Sequence, residues 1–177
     1  MISRIYITPK GNDMRGKLYM DSFKKLGFSS KISNVLLLDS YLISHKFYNT
    51  KFLKIAEALT NPIIENFSIN KIPENYLKDC SYIIEVGYLP GVTDNVAHTT
   101  KETIIDLLHL KKDSDLAVYT SKVFLISGSL DLDDIQKIVS SLYNPLIERA
   151  YIVKNKKGEK IDLPLKAPKV ILEKRIP

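Results

Sequence analysis

The sequence predicts an α+β fold built twice over, a tandem duplication of one strand-and-helix unit folded as a pseudo-dimer. Three observations predict it. LKIAEALTNPIIENFSI (Leu53–Ile69) recurs as QKIVSSLYNPLIERAYI (Gln136–Ile152), 83 residues further on, with eight of the sixteen positions from Lys54 to Ile69 identical. The same offset aligns Val35 with Val118 and Leu42-Ile43-Ser44 with Leu125-Ile126-Ser127, and with two residues of slippage Asp13 meets Asp94. Finally, apolar periodicity alternates between strand-like and helix-like in the same order in both copies. Two copies are too few for a solenoid, which needs at least three stacked units. They suit a pseudo-twofold pair, the one-chain equivalent of a symmetric homodimer.

Each copy opens on a strand of β-branched and aromatic residues, Ile5-Tyr6-Ile7 and Tyr82–Val86. Helices follow at Asp13–Leu26 and Asp94–Leu108, the second with an inner stripe of Val96, Thr100, Ile104, Leu107 and Leu108. Extended runs come next, Val35–Ile43 and Val118–Ile126. The second helix of each copy carries Phe52, Ile55, Ala56 and Leu59, matched by Ile135, Ile138, Val139 and Leu142, a single buried face at i, i+3, i+4, i+7. Asp131 is placed to cap the later of these two helices. Asn61-Pro62 and Asn144-Pro145 end them, because the residue before proline is pushed out of the α region. Closing strands are expected near Ile64–Ile72 and Ile147–Val153. The order β-α-β-β-α-β suggests a ferredoxin-like layer, with helices on one side of a mainly antiparallel sheet. The divisions expected are 1–72 for the first copy, 73–81 for a connector, 82–153 for the second copy and 154–177 for a basic linker or tail.

Composition narrows the function. The 177 residues carry a net charge of +6, but eight basic and three acidic residues fall between Lys154 and Pro177. The body before that tail is close to neutral, without the basic, aromatic-studded face that nucleic acid requires. No apolar run approaches the roughly 18–20 residues of a membrane span. The opening MISRIYITPK reads as a strand, so a cytoplasmic protein is expected, with no nucleic-acid or membrane partner. A lone Cys80 excludes an intrachain disulfide and a zinc site built on several cysteines. The chain stops at Pro177 as if cut from a longer one.

Gly11-Asn12-Asp13-Met14-Arg15-Gly16-Lys17-Leu18 nearly matches the phosphate-cradling G-x-x-x-x-G-K-[ST] loop, yet Leu18 stands where the magnesium-binding hydroxyl belongs. The matching place in the second copy has Ala97 and His98 for Gly16 and Lys17, so the likeness reads as coincidence. His98 and His109 share a helix face but lie roughly 16 Å apart along its axis, too far for one metal. Glu102 and Asp106 form an i, i+4 carboxylate pair of the kind usually just solvated. No self-contained catalytic constellation is present. The repeated Asn-Pro-x-Ile-Glu remains, first as helix stop and strand start, and second as a set of interface contacts through Glu65 and Glu148.

These residues together resemble a known family. Ile83-Ile84-Glu85-Val86-Gly87-Tyr88-Leu89-Pro90-Gly91-Val92-Thr93-Asp94 is similar to the opening strand and G-V-x-D turn of PurS, the small subunit of phosphoribosylformylglycinamidine (FGAM) synthase of purine biosynthesis. Lys122-Val123-Phe124-Leu125 resembles its central strand, with Ser121 replacing a glycine, and Leu142–Glu148 resembles its closing L-x-N-x-x-I-E. The first copy fits through Gly11, Asp13, Gly16, Lys17 and Leu59–Glu65, but lacks the G-V and has Asp39 at the lysine position. The two copies cover the chain up to about Val153.

The resemblance implies a fused PurS-like pair, as at the N-terminus of long single-chain FGAM synthases. It implies the parent ATP-dependent C–N ligase reaction, in which formylglycinamide ribonucleotide, ATP and glutamine give FGAM, ADP, phosphate and glutamate. No catalytic residue, metal or cofactor is expected in this chain; ATP and Mg²⁺ belong to the synthetase part. The partners implied are the synthetase and glutaminase domains or subunits, between which the pair helps ammonia pass. Interface contacts are expected at Asp13, Asn61, Pro62, Glu65, Gly91, Asp94, Lys122, Asn144, Pro145 and Glu148. The alternative is a duplicated ferredoxin-like small-molecule sensor of the ACT type. A P-loop enzyme and an RNA binder rank lower, the latter because no RNP1-like pattern occurs.

Overall fold

A computed structural model describes residues 2–45, 48–111, 115–156 and 163. The protein is an α+β fold with one six-stranded antiparallel sheet. Its strands are β1 (Ile2–Pro9), β2 (Ile32–Ser44), β3 (Glu65–Ile69), β4 (Tyr82–Tyr88), β5 (Ala117–Gly128) and β6 (Glu148–Lys154). The helices are α1 (Met14–Phe23), α2 (Asn49–Leu59), α3 (Glu74–Leu77), α4 (Asn95–Leu108) and α5 (Leu132–Leu142). The α1 helix runs on through a widened π turn, Lys24–Phe28, released at Gly27, whose φ of 99° an L side chain would strain to adopt.

The strand order is β3-β1-β2-β5-β4-β6. It reads the same from either end once β1, β2 and β3 are exchanged for β4, β5 and β6. The middle of the sheet is the long antiparallel pair β2/β5, in one register from Asn34↔Ser127 to Ser44↔Ala117, with a one-residue shift before Ile32↔Gly128. Here the structure corrects one expectation. Each half runs β-α-β-α-β, because the two middle strands expected of a ferredoxin-like unit are one continuous strand. No Gly or Pro interrupts Ile32–Ser44 and the only glycine of β5 is its last residue, so nothing turns the chain into a hairpin.

Strand alternation sends Ile5, Ile7, Leu37, Ile84, Val86 and Phe124 to one face, under α1, α2, α4 and α5. Two clusters form there, and each mixes the halves. One joins Phe23 of α1 and Leu37 of β2 to Ile84 of β4 and Ile135, Ile138 and Val139 of α5. The other joins Ile5 and Ile7 of β1 and Phe52, Ile55 and Ala56 of α2 to Ala97, Ile104 and Ile105 of α4. The first helix of each half therefore packs with the second helix of the other. The boundaries 1–72 and 82–153 mark the repeat, but each apolar cluster crosses them.

The α2 and α5 faces are those read from periodicity, and Asp131 caps α5 in a capping box with Asp134. The α4 stripe holds at Thr100, Ile104 and Leu108 and departs from the expected one at Val96 and Leu107. Ala97, Thr100, Ile104 and Ile105 are buried, whereas Val96 is 54% and Leu107 41% exposed. Ala97 faces inward at the helix start, where its counterpart Gly16 presses α1 onto β2. A Cβ at Gly16 would meet the Val35 carbonyl oxygen at 2.2 Å.

The other face of the sheet carries Tyr6, Leu38, Ile83, Val123 and Leu125. It is covered by Ile72 and by Tyr76, Leu77 and Cys80 from the connector, which is thus more than a spacer. Leu163 lies in the same cluster, 5% exposed, so the tail touches the body at this point. The rest of the tail beyond Lys156 lies outside the described residues.

Candidate functional site

Across the centre of the sheet Ile7, Asp39, Lys122 and Val86 stand in one row. Asp39 and Lys122 face each other and are also counterparts at the 83-residue offset. Both lie on the helix-bearing face, in the gap between the α1/α5 and α2/α4 pairs. Other site residues gather in two groups on opposite sides of this row. Asp13, Asn61, Pro62 and Glu65 surround the end of β1, while Gly91, Asp94, Asn144, Pro145 and Glu148 surround the end of β4.

Asp13 and Asp94 do the same two things. Asp13 caps α1 by accepting from the Arg15 N–H at 3.1 Å, and its other oxygen accepts from the Leu37 N–H at 2.9 Å. Asp94 caps α4 by accepting from the Ala97 N–H at 2.8 Å, and its other oxygen accepts from Thr120 N–H and Oγ1 at 3.0 and 2.7 Å. Leu37 and Thr120 are counterparts at the 83-residue offset. Each aspartate thus ties a helix start to a central strand. The Asp13 carboxylate also occupies the α1 N-terminus, the place a phosphate would need, and Gly16 lies inside the helix. That gives a physical reason for setting the loop-like match aside.

The Asn-Pro-x-Ile-Glu segments are closed turns with the same bonds. Glu65 Oε2 accepts from the Asn61 N–H and Glu148 Oε2 from the Asn144 N–H, both at 2.8 Å. Asn61 Oδ1 accepts from Ile63 N–H and Asn144 Oδ1 from Leu146 N–H, both at 3.0 Å. Asn and Glu thus hold the backbone, and the tip presents apolar side chains, with Ile63 83% and Leu146 84% exposed. Pro62 and Pro145 are exposed in these turns, and Gly91, with φ of 87°, turns the chain between β4 and α4.

The surroundings of Asp39 and Lys122 differ in charge. Arg15 donates to Asp39 Oδ2 at 2.7 Å. Burial disfavours its charge, but the hydrogen bond and charge of Asp39, with Asp13 behind, outweigh that and raise its pKa. Beside it, burial and then Asp39 and Glu65 push the Tyr41 phenol up. Val96 is the counterpart of Arg15, and it leaves open a cavity of about 170 Å³ over Lys122. Tyr19, Tyr41, Tyr88, Phe124, Leu142 and Glu148 line it. Among the described residues Lys122 makes no hydrogen bond or ion pair.

On the opposite face a polar network escaped the sequence reading. Arg4, 2% exposed, donates to Glu85 Oε1 at 2.5 Å and to Ser40 Oγ at 3.1 Å, and Ser121 donates to the same Glu85 oxygen at 2.7 Å. The available signal was an arginine between Ser3 and Ile5 in an otherwise buried strand. His98 and His109 are exposed, the latter in the left-handed conformation that ends α4. Burial pushes the Cys80 thiol up to about 12, leaving it protonated and inert at neutral pH. Among the described residues no group of three or more His, Cys, Asp or Glu could hold a metal ion, and no helix is long and apolar enough to cross a membrane. No protein-family model matches the chain, and no curated protein matches it.

Proposed function

We propose that the chain is the PurS-like part of an FGAM synthase. In this reading it is a tandem duplication of a ferredoxin-like layer, with the middle strands of each unit run into one, folded as a pseudo-dimer. It bridges the glutaminase and synthetase parts and helps ammonia pass between them; ATP and Mg²⁺ are held by the synthetase part. The observation that carries this reading is the matched pair of halves about Asp39 and Lys122, with paired aspartate caps and paired Asn-Pro-x-Ile-Glu turns. One chain that closes its own twofold needs no second copy to complete the sheet. The matched turn tips, each with an exposed apolar residue at its apex, give the bridge two similar surfaces, one for each partner. Fold alone does not imply function, so the assay must address the reaction.

The test is FGAM synthesis by the partner domains with and without this chain, with glutamine or ammonium chloride as nitrogen donor. Removal is expected to abolish glutamine-dependent turnover and spare ammonia-dependent turnover. Equal loss with both donors would make the chain a structural prop of the synthetase. Unchanged turnover with both would overturn the reading.

A further inference from the structure

We infer that the cavity over Lys122 is a binding site for a small zwitterion, an apolar α-amino acid being the simplest that fits. The inference does not depend on the bridging role. It rests on the difference between two counterpart positions in the molecule. On the first-half side, Arg15 reaches down from α1 and closes on Asp39 at 2.7 Å, so that charge is satisfied within the chain. On the second-half side, Val96 and Lys122 replace Arg15 and Asp39, and among the described residues no side chain closes the space.

The charges left over in this cavity are one of each sign. Lys122 is an exposed cation without an ion pair or hydrogen bond among the described residues. Glu148 is half-buried and uses one oxygen on the Asn144 N–H, leaving the other available. The two are not paired with each other, because Glu148 lies two strands and two residues away across β4, with Tyr88 between. Asp39, the remaining charge in the lining, is already held by Arg15. Val86 lies on the strand between Lys122 and Glu148, and Phe124 and Leu142 add apolar surface to a lining that also holds Thr120, Ser121 and the Tyr19, Tyr41 and Tyr88 rings. A few charged and polar groups set in a partly apolar lining are the usual make-up of a small-molecule site. A lone anion would meet Glu148 and a lone cation would meet Lys122. A carboxylate toward Lys122, an ammonium toward Glu148 and an apolar body over Val86 and Phe124 satisfy all three.

The test is calorimetric titration of the whole chain with leucine, beside 4-methylpentanoate, which lacks the ammonium group, and 3-methylbutylamine, which lacks the carboxylate. Leucine is expected to bind in the millimolar range or tighter, and each analogue at least about tenfold more weakly. Lys122→Met and Glu148→Gln should each weaken leucine by at least about tenfold. The glutamine variant keeps an oxygen for the Asn144 N–H, so the turn survives. Val96→Arg, which supplies the side chain found on the other side, should abolish binding while the melting curve stays cooperative. Absence of saturable heat with leucine, phenylalanine and glycine alike would overturn the inference. So would analogues that match leucine, or a Lys122→Met variant that binds leucine as the parent does.

Discussion

Asp39 and Lys122 are paired directly across β2 and β5, and each stands where the other does in the 83-residue repeat. Opposite charges at these two counterpart positions set the two repeat segments apart. Asp39 is satisfied by Arg15 within the chain, whereas Lys122 opens onto a cavity.

Since Phe23 of α1 packs with Ile135 and Ile138 of α5, damage to the first half should register in the second. Phe23→Ala is expected to cost about 3–5 kcal/mol. Amide exchange should then lose protection at Ile84 and Ile138 along with Leu37, as one cooperative unit. Loss confined to residues 14–44 would contradict a shared core.

Asp13→Ala and Asp94→Ala each remove a helix cap and a bond to a central strand. A loss of roughly 1–2 kcal/mol is expected for each, read by chemical denaturation. Asp94 holds both Thr120 N–H and Oγ1, so its loss should be the larger. A partner-binding defect in a variant that keeps full stability would instead assign these residues to an interface.

Leu163 tests whether the tail belongs to the body. Leu163→Ala should cost about 2–4 kcal/mol if its burial against Leu38 and Val123 stabilises the fold. Ending the chain after Lys156 should cost at least as much. A melting temperature unmoved by either change would reduce the contact to incidental packing.

Lys31, immediately before β2, and Asp134 tie the start of that strand to the first turn of α5 at 2.6 Å. The hydrogen bond to Lys31 holds the Asp134 carboxyl below its ordinary value, against the opposing effect of burial. The same hydrogen bond raises Lys31, again against burial. A depressed carboxyl contributes stability that is present above its unfolded value and lost as pH falls through its folded one. A raised lysine contributes stability below its unfolded value, lost as pH rises through its folded one. Stability should therefore fall at both extremes, and Lys31→Met should flatten both limbs of the pH profile. An unchanged acid limb would show that other carboxylates carry it.

Much of the fold was legible because its signals are local. The α2 and α5 faces follow from one apolar stripe each, and the Asn-Pro turns from proline's effect on its neighbour. Misreadings occurred where a residue's role depends on something distant. Val96 counts as core by periodicity, yet it faces a cavity made by residues from six other elements. Asp13 and Asp94 were singled out through the repeat and the resemblance, but the strand N–H groups they hold are more than twenty residues away. The exchange of helices between halves has no local trace, because either pairing would bury the same stripes. Arg4 stayed hidden because its acid partner, Glu85, is 81 residues away.

The exchange of helices also sets an order in time. As the chain emerges from the ribosome, α1 presents Phe23 long before Ile135 and Ile138 of α5 exist to receive it. Neither half can settle on arrival, since each apolar cluster waits for residues from the other. The β2/β5 ladder adds a closure over some eighty residues, an entropy cost met before its contacts return anything. The cluster that joins α1 to α5 can therefore be completed only after α5 has emerged. Until then the nascent first half carries an uncovered apolar surface, a liability that a chaperone or a fast-following second half must shield.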